Sequence, residues 1–233
     1  NRGFEGTFNG NGYTIYGLYS YHADYTCVGF FGTVKYGDIK NLTLAEGFIG
    51  GGALTGAFVG RAKVGVDVIN CVNKLNVQGT TGVGGIIGGN AKGTTVGNSV
   101  NVEEEGDIPT FTVFNCVNYG KISGTKWVGG TVGYITAGAS RAKIEKCVNY
   151  GAVNGVGVGV GGILGGTYNV DGYDHNVVES CVNYAEIVGG SSGSTGYVGG
   201  VVGCARATDI YNCVNTGSVK NIGTSNYTGG ITG

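Results

Sequence analysis

Methionine is absent from this chain of 233 residues, proline occurs once, at Pro109, tryptophan once and histidine only at His22 and His175. The missing initiator leads us to expect a mature or excised segment, and no signal peptide opens at Asn1. Charge is scarce too: 12% of residues are ionisable Asp, Glu, Lys or Arg, and the net charge is −1. Without a basic cluster to meet phosphates, the sequence argues against a nucleic-acid partner, and it offers no field to draw the chain onto an anionic bilayer. No apolar run approaches the roughly 20 residues of a membrane helix, so membrane insertion is not expected. Sustained 3.6-residue apolar periodicity is missing as well, which argues against helices. Two common chemical signatures are absent: H-E-x-x-H of zinc peptidases and C-x-x-C of zinc sites.

What fills the chain instead is glycine, 51 residues, together with short runs of Val, Ile, Thr and Tyr. So much glycine would suggest low complexity, but 41% of residues are hydrophobic and both classes recur at fixed phase, so burial is feasible. The phase comes from one segment: I/V-x-x-C-V-N, a branched aliphatic six residues later, then V-G-G-x-x-G. Its anchors are Cys71, Cys116, Cys147, Cys181 and Cys213, and an earlier copy puts Leu42 in the cysteine slot. Successive anchors stand 29, 45, 31, 34 and 32 residues apart. Self-similarity at this period signifies a solenoid. Three short strands and three corners per repeat predict an all-β, right-handed parallel β-helix of about six to seven turns. The chain reads as a single domain, with residues 1–32 a divergent opening turn and 33–233 six repeats.

Three local expectations follow. Gly79, Gly124, Gly155 and Gly189, and once Asn221, follow the second strand, where we expect a corner needing positive φ. Asn73, Asn118, Asn149, Asn183 and Asn215 lie two residues past the anchor and are expected to form an amide ladder rather than bind a ligand. The aliphatic three residues before each cysteine cannot share the interior with it under strict alternation, so a bend or bulge between them is required.

The opening run Phe4-Glu5-Gly6-Thr7-Phe8-Asn9-Gly10-Asn11-Gly12-Tyr13-Thr14-Ile15-Tyr16-Gly17-Leu18, the later Val28-Gly29-Phe30-Phe31-Gly32 and the recurrent N-C-x-N-x-G-x-V-x-G pattern resemble the GLUG-motif repeats of large bacterial secreted and surface proteins. Those repeats include the N-terminal regions of some immunoglobulin A peptidases. Phe30 stands where Leu is typical of the naming tetrapeptide. The resemblance runs over essentially the whole chain. It implies a β-helix at a bacterial cell surface, as a module of a longer polypeptide, with no catalytic residues to carry over.

Against that background the chemistry-bearing residues read modestly. Seven cysteines invite a disulfide framework, but the count is odd and Leu42 fills the same slot, so the stacked anchors read as packing, and Cys27 and Cys204 as free thiols. A strained dihedral between stacked parallel side chains also argues against a disulfide ladder. Gly155 to Gly161 alternates Gly and Val but opens no helix, and reads as strand and corner rather than a nucleotide loop. Tyr119, Tyr150 and Tyr184 follow the ladder asparagines and should stack as an exposed stripe, either stabilising itself or lying against sugar rings.

Extra residues precede Cys116, Cys147 and Cys181, so three turns should bulge at one corner, a usual place for binding residues. These insertions carry Glu103, Glu104, Glu105, Asp107, Tyr168, Asp171, Tyr173, Asp174 and His175, with Trp127 nearby. A calcium site from Asp171 and Asp174 is conceivable, although the spacing departs from a D-x-D-x-D-G loop; no other cofactor is expected. The sequence thus points to a non-catalytic extracellular module for adhesion, spacing or assembly, partnered by a glycan or a host or cell-surface protein. Its final strand, Gly229 to Gly233, is expected to continue into further repeats or to stack on another molecule. The second reading is a carbohydrate-active β-helix enzyme with paired carboxylates; most acidic residues, such as Glu145, Glu179 and Glu186, fall at outward positions.

Overall fold

The computed structural model describes residues 3–90, 110–136, 141–167, 176–190, 196–223 and 226–233. Every regular element among them is a β-strand, and every strand pairing is parallel. The chain coils as a parallel β-helix whose successive turns stack in register. A representative coil runs through Val66–Ile69, Val72–Asn73, Asn76–Gln78, Thr81–Gly84 and Ile87–Gly89. The three extended segments expected per turn are there, with the first and last each broken by a tight corner.

Seven coils stack. The opening coil pairs Phe4–Asn9, Thr14–Tyr16 and Tyr19–His22 with the coil that holds Leu42. Five repeats then follow in the order of their anchors, as the second sheet shows: Val72 faces Thr43 on one side and Val117 on the other, and the series runs on through Val148, Val182 and Val214. Parallel pairing of equivalent strands satisfies the backbone of each coil through its neighbours, which is why a sequence with so few helix formers holds together.

The interior is a column of branched aliphatics. Val68, Val77, Val83 and Ile87 are fully buried in one coil, and Val113, Ile122, Val128 and Val132 take their places in the next. Each such side chain removed from water contributes about 1.5–3 kcal/mol, so a coil that buries four of them and an anchor thiol is held chiefly by this column.

The alternation problem is resolved at one residue per coil. Val68 and Cys71 are both fully buried because Asn70 between them has φ 53°. Asn41, Asn115, Lys146, Ser180 and Asn212 occupy the same place, with φ between 52° and 56°. A left-handed residue turns the chain so that both flanking side chains point inward, and asparagine tolerates that region better than most L residues. The asparagines here also form an outward ladder: Asn115 donates to Asn70 at 2.8 Å, Asn70 to Asn41 at 3.1 Å and Asn41 to Asn9 at 3.0 Å.

The corner glycines correct one expectation. Gly79, Gly124, Gly155 and Gly189 are not left-handed, and neither is Asn221. They are small because valine methyls of the following strand and of its equivalent one coil before fill the space: a Cβ at Gly124 would stand 2.8 Å from Val83 Cγ2 and 2.9 Å from Val128 Cγ2. In the last coil the valine becomes Thr228, and Asn221 fits by donating to its hydroxyl at 2.7 Å. Left-handed backbone occurs instead at the start of the fourth strand or just before it, at Cys27, Leu54, Gly82, Trp127 and Gly159.

Candidate functional site

Inside the second corner the five asparagines form the expected ladder. Asn73 Nδ2 donates to Asn118 Oδ1 at 2.7 Å, and Asn118 to Asn149, Asn149 to Asn183 and Asn183 to Asn215, each at 2.8 Å. Each amide nitrogen also donates to the carbonyl two residues on. Asn73, Asn118, Asn149 and Asn183 are fully buried. The glycines of the V-G-G block roof them: a Cβ at Gly85 would sit 2.6 Å from Asn118 Cγ, and Gly130, Gly162 and Gly200 cover Asn149, Asn183 and Asn215 still more closely. With both donors of Asn73, Asn118, Asn149 and Asn183 engaged, the ladder is a structural spine and those amides have nothing left for a ligand.

The anchor cysteines stack beside it, and all seven thiols of the chain are free. Each anchor Sγ lies near a carbonyl of the preceding coil: Cys116 near Val68 O at 3.4 Å, Cys147 near Val113 O, Cys181 near Ile144 O and Cys213 near Val178 O at 3.5 Å. A small apolar side chain with a weak donor suits this slot. Burial pushes the Cys116 and Cys147 thiols well above the ordinary range. At Cys181 and Cys213 the hydrogen bond with the thiol one coil before is the main upward influence, while the bond with Cys116 lowers Cys71. Thiols held protonated are poor nucleophiles and poor ligands.

Tyr119, Tyr150 and Tyr184 form an exposed stack, with centroids 5.0 and 4.9 Å apart and planes within 7°. Lys74 Nζ caps it, 6.0 Å from the Tyr119 centroid. Both faces of Tyr150 are therefore taken by its neighbours, so a ligand reaching the middle of the stripe meets a ring edge and a hydroxyl.

Glu103, Glu104, Glu105, Asp107, Tyr168, Asp171, Tyr173, Asp174 and His175 lie outside the described residues. Their attachment points are described, and they do stack: Ile87–Gly89, Val132–Ile135 and Leu164–Thr167 are neighbours where the insertions leave, as are Thr110–Phe114, Arg141–Glu145 and Asn176–Glu179 where they return. In the coil holding Leu42 this corner is crossed without a break by the single strand Phe31–Lys40, which pairs with both Val59–Ala62 and Val66–Ile69. Arg61 and Lys63, beside this corner, are buried. Trp127 lies over Gly159 and Gly166 of the next coil, its ring 5.1 Å from Tyr134.

The outward carboxylates Glu145, Glu179 and Glu186 are ion-paired. Lys143 Nζ is 2.8 Å from Glu145 and 3.8 Å from Glu179, and Lys220 pairs with Glu186. The hydrogen bond between them lowers the Glu145 carboxyl and raises Lys143 from their ordinary values. Among the described residues no group of three or more His, Cys, Asp and Glu side chains is placed to hold a metal ion.

One cluster escaped the repeat alignment. Tyr13, Tyr16, Tyr19, Tyr21 and Tyr25, five of the fifteen tyrosines, fall within 13 residues of the opening coil, and all are exposed. Tyr19 and Tyr21 flank Phe48 of the next coil, with centroids at 5.7 and 6.2 Å. His22 stacks on Tyr25 at 4.8 Å. The signal was local tyrosine density, which a search keyed to repetition passes over.

Fold and surface together define a parallel β-helix solenoid with an amide spine, stacked free thiols and aromatic groups displayed outside. A structural comparison places it beside the crystal structure of a protein from Bacteroides ovatus provisionally described as an immunoglobulin A1 protease. The TM-score is 0.67 at 20% sequence identity, and the match covers 94% of this chain and 68% of that one. At that identity the likeness shows the fold alone. No family model and no curated protein matches the sequence.

Proposed function

We propose that the chain is a non-catalytic β-helix module of a bacterial secreted or surface protein, working outside the cell in adhesion, spacing or assembly. The observation that carries this reading is the division of labour in each coil. The chemically versatile side chains, amides and thiols, are consumed by ladders that run the length of the body, which favours a stiff rod. What remains for partners is the outer surface and the insertion corner. The GLUG-like motifs and the fold shared with the Bacteroides ovatus protein both support a place among large bacterial repeat proteins. Partners of the kind we propose are a glycan or a host or cell-surface protein, with end-to-end stacking of coils as a further mode, and Asp171 and Asp174 as a weak calcium site.

The second reading, a carbohydrate-active enzyme, draws on the β-helix itself and needs carboxylates converging in a groove. The described acids Glu145 and Glu179 instead share Lys143, and Glu186 pairs with Lys220 beside another sheet, which favours the first reading. Shortening segments 91–109 and 168–175 to the length of the uninserted link at 63–65 is expected to leave the melting temperature unchanged and to reduce adhesion to cells and immobilised glycans. Equal adhesion by trimmed and parent chains would remove the insertion corner as the working surface. Cleavage of immunoglobulin A1 or of a polysaccharide by the purified chain would overturn the non-catalytic reading.

A further inference from the structure

The opening coil carries the most exposed aromatic surface of the described molecule, and its geometry differs from that of the tyrosine stripe. On the third sheet Tyr19 pairs in register with Phe48, and Tyr21 with Gly50. An ideal Cβ at Gly50 would stand 2.5 Å from Tyr21 Cδ2 and 2.7 Å from Phe48 Cε1. Both rings therefore lie over the Gly50 backbone, in space that any larger residue would occupy. A ring lying on its own sheet turns its other face to solvent, and Tyr19 and Tyr21 are 73% and 54% exposed. The tilts of 35° and 34° to Phe48 make the three rings a shallow platform rather than a closed stack. Asn76 and Gln78, exposed and next in register with Phe48 and Gly50, border it with amides; Asn76 Oδ1 accepts from Lys121 N at 3.0 Å, so Asn76 offers a ligand its amide nitrogen.

We propose that this platform, Tyr19, Phe48 and Tyr21 with the flanking amides of Asn76 and Gln78, is a binding site for neutral polysaccharide. A sugar ring presents an apolar C–H face and a rim of hydroxyls. Tyrosine faces match the first, while tyrosine hydroxyls and carboxamides, which both donate and accept, match the second. Charge of one sign does not gather here, which favours a neutral polymer: no Lys or Arg occurs from Gly3 to Val34, Glu46 stands two residues before Phe48, Lys74 stands two before Asn76, and the backbone of Lys121 meets Asn76. A protein partner would instead anchor in a desolvated pocket, and this face follows the plane of a sheet. The site deepens the reading of the chain as a non-catalytic module and rests on it.

The test is affinity electrophoresis of the intact chain in gels containing β-glucan, xylan, mannan or galactan, followed by calorimetry on whichever polymer retards it. At least one neutral polymer is expected to bind, and a sulfated polymer should not compete. The double variant Tyr19→Ala/Tyr21→Ala should weaken binding about tenfold or more, from the loss of two ring contacts. Gly50→Ala keeps every aromatic residue but displaces two rings, and should also weaken binding while circular dichroism and melting stay near the parent's. Tyr119→Ala, in the stripe, should bind as the parent does. The site is overturned if no polymer in the panel binds, if the double variant binds like the parent, if Tyr119→Ala loses as much, or if the double variant changes only the chain's oligomeric mass by light scattering. Release of reducing ends alongside ring-dependent binding would leave the platform standing and overturn the non-catalytic reading instead.

Discussion

Replacing Asn149 by alanine tests the amide spine at its most enclosed point. The Asn149 amide accepts from Asn118 Nδ2 at 2.8 Å and from Gly151 N at 3.2 Å, and donates to Gly151 O at 3.0 Å and Asn183 Oδ1 at 2.8 Å. Truncation strands two buried donors, one hydrogen of Asn118 Nδ2 and the Gly151 N–H, beneath the roof of Gly130, which leaves little room for water. At about 1–3 kcal/mol for each unsatisfied buried group, the variant should lose roughly 2–6 kcal/mol. The same substitution at Asn215 leaves Asn183 and Gly217 facing the open end of the stack, where water can replace the lost partner, and should cost about 1 kcal/mol or less. Urea denaturation followed by far-ultraviolet circular dichroism measures the difference. Because a repeat array can melt in parts, hydrogen exchange at Gly151 should accompany it and show lost protection in Asn149→Ala. If Asn149→Ala is no more destabilising than Asn215→Ala, or Gly151 stays protected, the spine does not stabilise the fold as argued.

Two further outcomes are expected. Gly162→Ala places a methyl against both the Gly200 carbonyl and the Asn183 amide and should destabilise by about 3 kcal/mol, whereas Gly230→Ala, whose Cβ meets nothing within 4 Å, should melt with the parent; equal effects would refute the roofing role of these glycines. The buried thiols of Cys116 and Cys147 should resist alkylation at pH 8 until the chain unfolds, and non-reducing mass spectrometry should find no bridge among the anchors; two or more bridges would refute the packing role. Their raised pKa also sets a sign. Above about pH 9 the unfolded chain releases these protons while the folded chain keeps them, so stability present below that pH should fall as pH rises, by about 1.4 kcal/mol per unit for each thiol.

Much of this protein is legible in its sequence, because a solenoid writes its geometry into a one-dimensional period. Each anchor must face its equivalent one coil away, so the spacing of Cys71, Cys116, Cys147, Cys181 and Cys213 alone implied stacked strands, a ladder of Asn73 and its successors, and a bend between each anchor and the aliphatic before it. Leu42 in a cysteine slot likewise marked that position as packing. Only the tertiary structure decided matters that depend on which atoms approach across coils. Gly124 and its equivalents look like left-handed corner residues in sequence, yet their lack of a side chain makes room for valine methyls. Tyr119, Tyr150 and Tyr184 look like an open aromatic stripe, and the rung spacing presses their faces together. Tyr19 and Phe48 stand 29 residues apart, one coil, but the divergent opening turn carries no anchor, so the repeat pattern did not join them or bring in Tyr21. It took the register of the opening coil, with Gly50 beneath two of the rings, to make them one surface.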